Sequence, residues 1–103
     1  MEGHASIERD VLATYAADAA RDVAGVSGLV GSALHRHEGV RVTGADGSVN
    51  VELHVAVDWG ANVRELAAEV QERVAAYLAR MADVQPAAVD VVVDEIGPPP
   101  AAA

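Results

Sequence analysis

Arg41, Glu52 and His54 are the side chains most able to do chemistry together, because one short turn would place them side by side. If Asp46-Gly47 is a two-residue hairpin loop, Val42 faces Val51, Val40 faces Leu53 and Arg41 faces Glu52. The apolar pairs then fall on one face and the charged pair on the other, where Thr43, Asn50 and His54 join it. A three-residue loop at His37-Glu38-Gly39 would pair residues 34 and 42 and bring His35 beside Arg41. Such a histidine-bearing cluster titrates near neutrality and has the makings of a pH sensor. The plainer reading is a solvated sheet face with ordinary cross-strand pairs. Metal binding by His35, His37 and His54 needs a further converging ligand, which strand spacing does not supply, so no metal and no cofactor are expected.

Other chemical signals are weaker. Gly25, Gly28 and Gly31 recur every three residues, but phosphate-binding loops run from a strand into a helix, and here a helix runs into a strand. Gly25-Val26-Ser27-Gly28 imitates the GXXG loop of an RNA-binding fold, yet that loop joins two helices on a basic surface. Helix termination accounts for these glycines. Trp59-Gly60, at a strand-to-helix corner, suits either an exposed partner anchor or local core packing. Ser, His and Asp are present without a nucleophile elbow or any repeated His-to-acid spacing, so catalysis is not expected.

Charge narrows the partners. Sixteen acidic residues against seven basic give a net charge of −9, a field that repels phosphate backbones and anionic lipid surfaces. Neither nucleic acid nor direct membrane insertion is expected. All seven basic residues are Arg, and they are scattered along the chain. The absence of Cys excludes disulfides and thiolate metal sites. The opening MEGHASIERD has no basic region followed by an apolar stretch, which gives an expectation of cytoplasmic location. With 103 residues there is room for one core, and no apolar run approaches the ~18 residues of a membrane span. Ala (22) and Val (18) dominate the apolar residues while Phe is absent, so that core must be tight and small-grained.

The elements that would position the cluster follow from periodicity. From about Glu8 to Ala24, Leu12, Tyr15, Ala16, Ala19 and Val23 form a helical stripe, with Ser6 as N-cap and Gly25 as terminator. Gly28 to His37 reads as an irregular strand. Val40 and Val42, then Val49, Val51, Leu53, Val55 and Val57, alternate with polar residues as two half-buried strands. Asn62 and Glu65 form a capping-box variant that opens a second helix. Its apolar arc is Val63, Leu66, Ala67, Val70, Val74, Tyr77, Leu78 and Met81, and it ends near Ala82 ahead of Pro86. Val89, Val91 and Val93 mark a last strand from Ala88 to Ile96, with Asp90 on its polar side. One apolar stripe per helix and one apolar sheet face are satisfied by two layers. The expected fold is therefore α+β: a two-layer sandwich of order α-β-β-β-α-β, whose mixed four-stranded sheet carries both helices on one face. Residues 1–6 are read as a flexible N-terminus, 7–96 as a single domain, and 97–103 as a disordered Pro/Ala tail.

Several of these segments together resemble the alkaline shock protein family. They are Gly39-Val40-Arg41-Val42, the strand from Val49 to Asp58 entering the Trp59-Gly60-Ala61-Asn62 turn, and Val70-Gln71-Glu72-Arg73-Val74. The helix exit Asp22 to Leu29 and the closing Val89-Asp90-Val91-Val92-Val93 fit the same pattern, so the resemblance runs from about Ile7 to Ile96. Trp59 stands where that family commonly has Tyr, Asp90 where it has Asn, and Met81-Ala82-Asp83-Val84 where it has a Met-Thr-Gly-Leu-like stretch. The resemblance implies a non-enzymatic, cytoplasmic protein of the bacterial envelope stress response. Such a protein self-assembles and reaches the inner face of the membrane through a membrane-anchored partner. A small ligand- or nucleic-acid-binding module is the alternative reading, and an enzyme the third. Arg41, Thr43, Asn50, Glu52, His54, Trp59 and Asp90 are the residues expected to meet the partner.

Overall fold

A strand that alternates Val or Leu with polar residues over its whole length can bury one face and wet the other. In the computed structural model that strand is the hub of the sheet. The structure describes residues 2–31, 39–45 and 48–99, the side chains of 2–8 and of Ala45 excepted. Its elements are α1 (Glu2–Arg21), β1 (Val26–Leu29), β2 (Val40–Ala45), β3 (Ser48–Val57), α2 (Val63–Ala82) and β4 (Ala88–Ile96). The four strands form one mixed sheet, and β3 pairs with every other strand.

The β2–β3 hairpin has the register expected from its turn: Val40 faces Leu53, Arg41 faces Glu52 and Val42 faces Val51. Ala45 pairs with Ser48. The expected turn residues Asp46 and Gly47 lie outside the described residues. Strand β4 runs parallel to β3 on its other side, with Val51 opposite Val89 and His54 opposite Val92. The β3–α2–β4 unit is thus the crossover that the order of elements suggests.

The first strand departs from expectation. Its described part, Val26–Leu29, begins before the expected Gly28 and pairs antiparallel with β3, Val26 opposite Val57 and Leu29 opposite Val55, while the expected pairing of residues 34 and 42 lies outside the described residues. Strands β1 and β2 therefore lie end to end on the same side of β3. His54 is the splice: its carbonyl accepts from the Val30 amide and its own amide donates to the Gly39 carbonyl, both at 2.8 Å. The backbone reason is Gly39. It has φ +86°, and a Cβ there would lie 2.6 Å from the Val30 carbonyl oxygen and 3.0 Å from that of His54. Only glycine lets the returning chain approach this closely. Among the described residues β1 does not pair with β2, and the expected placement of His35 beside Arg41 falls, with His35 and His37 themselves, outside the described residues.

Both helices cover the same sheet face, α1 over β1 and β2 and α2 over β4. Val51, Leu53, Val55 and Val57 point into this layer and are fully buried, together with Val70, Val74 and Leu78 of α2 and Ala16, Ala20 and Val23 from the first helix and its exit. The many alanines of α1 let its backbone come close to the sheet. Val63 and Met81, assigned to the buried arc of α2, are exposed instead, since they sit at the helix ends beyond the sheet it covers. Helix α1 opens at Glu2, so Ser6 lies within the helix and is not its N-cap. In α2, Asn62 is the N-cap, its side chain accepting from the Glu65 amide at 3.1 Å. Gln71 ties the same helix to the sheet by donating to the Val89 carbonyl at 2.8 Å. Of the expected tail, Gly97 still donates to the Val57 carbonyl, and residues 100–103 lie outside the described residues.

Helix α2 ends on Asp83, a left-handed residue with φ 54° whose amide donates to Ala79 O, while the Val84 amide donates to Leu78 O. Glycine is the usual occupant of this position, and an acid there also opposes the helix dipole. Asp83→Gly is expected to stabilise the domain by about 1 kcal/mol. Gly39→Ala is expected to destabilise it by at least about 1 kcal/mol, through left-handed strain and carbonyl collision. Paired urea titrations of the two variants check both signs.

Candidate functional site

With the helices on one side, the even-numbered residues of β3 face away from the core. Asn50, Glu52 and His54 stand there, flanked by Arg41 and Thr43 of β2 and by Asp90 of β4, which faces Glu52 across the parallel pair. Arg41, Thr43, Asn50 and Asp90 are exposed, and Glu52 and His54 are half-buried. Arg41, Thr43, Asn50, Glu52 and Asp90 line a shallow dish of about 120 Å³ on this face, with Val51 contributing to its floor. Six of the seven residues singled out from sequence are thus brought together on one surface. Trp59 is not among them. It sits past the end of β3 at the turn into α2, and at 57% exposure it packs little of the corner it was expected either to fill or to project from.

His54 is the most constrained member. Its Nε2 lies 2.7 Å from Glu52 Oε2 and its Nδ1 lies 2.7 Å from Asp94 Oδ2. A neutral imidazole has one donor nitrogen and one acceptor, so it can satisfy only one of two flanking carboxylates; the imidazolium donates to both. The Glu52 hydrogen bond, reinforced by that to Asp94 and by the negative charge of both carboxylates, outweighs partial desolvation and raises the His54 pKa above its ordinary 6.5. Among the described residues, Glu52 pairs with His54, two residues along its own strand, although the register sets it opposite Arg41.

Asp94 was not assigned a role from sequence. Its parity on β4 was legible, since it alternates with Val91 and Val93, but two things were not. The strand order decides that β4 borders His54, and a register shift between Val55 and Ala56 decides where Asp94 falls. Beyond His54–Val92 and Val55–Val93, Ala56 is opposite Glu95, so Asp94 is the extra residue of a bulge. Bulges re-aim side chains at sheet sites, and this one sets Asp94 against His54 and returns Ile96 to register with Val57. No group of three or more metal-binding side chains converges among the described residues. The chemistry available on this face is recognition through a carboxylate–imidazolium–carboxylate row, with Arg41 and Asp90 beside it.

A family model, the alkaline shock protein 23 family with a cell envelope-related function, matches residues 1–98. No curated protein matches the chain. Solved structures of the MamM CTD share its architecture. A manganese form of one variant is 20% identical, covering 82% of this chain and 95% of that one, with a TM-score of 0.54. A cadmium form of another variant is 20% identical over 84% and 95%, with a TM-score of 0.55. A third variant is 19% identical over 85% and 96%, with a TM-score of 0.56. At these identities the likeness bears on the fold alone.

A raised pKa means that the folded chain holds the His54 proton more tightly than the unfolded chain does. The stabilisation is complete below pH 6.5 and is lost as the pH rises through the folded-state value. In an NMR titration the imidazole of His54 is expected to show a midpoint above 6.5, displaced downward most by Glu52→Gln and less by Asp94→Asn. A wild-type midpoint at or below 6.5 would contradict the two-carboxylate arrangement.

Proposed function

The chain belongs to the alkaline shock protein 23 family, whose described function is cell envelope-related, and from that membership and its open sheet face we propose a non-enzymatic adaptor. It works by association: it binds copies of itself and a membrane-anchored protein, and so serves the envelope stress response from the cytoplasmic side of the membrane. The observation that carries this reading is the asymmetry of the sheet. One face is roofed by both helices, while the other presents Arg41, Thr43, Asn50, Glu52, His54 and Asp90 with no element of the described chain over them.

Two further features support it. No helix among the described residues is long and apolar enough to cross a membrane, so contact with the envelope through a partner fits the helices seen. The net charge of −9 disfavours direct adsorption to anionic lipid, and leaves a protein partner as the route. Trp59, exposed at the edge of the domain, supplies an apolar anchor of the kind that dominates binding energy at interfaces. The dish residues supply polar specificity, with the charges of Glu52 and Asp90 setting which partner surfaces are complementary.

Co-sedimentation with membranes from cells under alkaline or cell-wall stress tests this directly. The double variant Asp90→Arg with Thr43→Arg is expected to lose membrane association by about tenfold or more, the scale of placing like or unpaired charges at an interface. Its thermal midpoint should stay near wild type, because both positions are exposed. Unchanged co-sedimentation of a folded variant would move the interface off this face.

A further inference from the structure

On the opposite side of the molecule, in the helix layer, α1 and α2 diverge around a groove of about 280 Å³ lined by Ala19, Asp22, Arg73, Ala76, Tyr77 and Arg80. Its α2 wall is a single helical stripe, since residues 73, 76, 77 and 80 follow the i, i+3, i+4, i+7 spacing of one face. Ala76 leaves space between the two arginines, and Ala19 provides an equally small surface on α1. In a chain with more than twice as many acids as bases, guanidinium groups would be expected to be neutralised by close carboxylates. Here they are poorly neutralised. The ion pair of Arg73 is a 3.4 Å contact with Glu69, both side chains being about half exposed, a geometry of little worth in water. Arg80 has no carboxylate partner among the described residues. Its guanidinium lies over the Tyr77 ring, 5.3 Å from the centroid.

Tyr77 is itself held. Its ring meets Tyr15 of α1 edge-on at 5.7 Å and 81°. Tyr15, Tyr77 and Arg80 thus form a stack that runs from the helix interface to the groove. A guanidinium resting on a ring keeps its in-plane N–H groups free for a planar or tetrahedral oxyanion, and the stack lowers the entropy lost when it binds one. We propose that the α1–α2 groove is a binding site for a small molecule carrying a phosphate or carboxylate group, held by Arg80 on its Tyr77 platform and by Arg73 from one turn-pair away. Asp22 on the facing wall repels a second anionic group and accepts a hydrogen bond from a hydroxyl or amine. It thereby selects singly headed oxyanions over polyanions such as nucleic acid. The site is separate from the open sheet face and stands whether or not that face docks a partner.

The test is an NMR titration of the full chain with inorganic phosphate, and separately with acetate, against sodium chloride at matched ionic strength. Saturable shifts are expected at the Ala19, Ala76 and Tyr77 amides and at the Arg80 side-chain Nε–H. Arg80→Gln should weaken phosphate binding about tenfold, the scale of one charge-assisted hydrogen-bonded pair. Arg73→Gln should weaken it by a smaller factor, and Arg64→Gln, outside the groove, should leave it unchanged. Shifts that chloride reproduces, or that persist equally in Arg80→Gln and Arg73→Gln, would overturn the site. Both arginines are exposed, so these variants retain the fold.

Discussion

The inward face of β3 is the constraint on which the rest of this molecule depends. Val51, Leu53, Val55 and Val57 have no exposed surface, and each other strand hydrogen-bonds to this one. A one-residue slip of β3 against its neighbours would exchange its two faces, placing Glu52 and His54 under the helices and the valines in water. Burial therefore sets the register, and the register sets which polar side chains share the open face. The helices follow from the same requirement. Their narrow apolar stripes, built largely from Ala and Val, can be covered only by a flat apolar sheet face close at hand.

Much of this was legible in the sequence because period-two alternation is unambiguous in β2 and β3, and because Asn62 and Glu65 mark the start of α2 through side-chain chemistry. The hairpin register and the placing of both helices on one face follow from those patterns. The first strand was not legible in the same way. Val26, Leu29 and Val30 lie among Gly and Ser with no clear alternation, and local signals do not reveal that β1 and β2 pair with the same side of β3. The glycine at position 39 carried the information, but a close approach of backbone to backbone looks in sequence like a turn. The end of α2 was found although its left-handed residue is Asp83 and not glycine, since Pro86 limited how far the helix could run.

The site was legible to the same degree as the sheet. Positions on β2 and β3 could be assigned to the wet face by parity, and Asp90 by its place on the last strand. Asp94 could not, because its role depends on strand order and on a bulge, neither of which is a property of local sequence. The result is an imidazole fixed by two carboxylates at the splice between β1 and β2, so that backbone continuity and side-chain charge meet at the same residue. The raised pKa follows from that enclosure, and it couples the charge of the open face to the state of His54. Trp59 shows the opposite case: an aromatic residue at a strand end carries no parity signal, and its 57% exposure is decided by how the corner into α2 turns.

The central claim is that one sheet face is roofed and the other open, and methyl relaxation by a soluble paramagnetic probe measures it most directly. The methyl groups of Thr43 and Val92, on the open side, should relax strongly, while those of Val51, Val55 and Val74 stay protected. Strong protection of Thr43 and Val92 in the monomeric chain, comparable to that of Val51, would mean that the chain covers this face itself, and the docking account would be wrong.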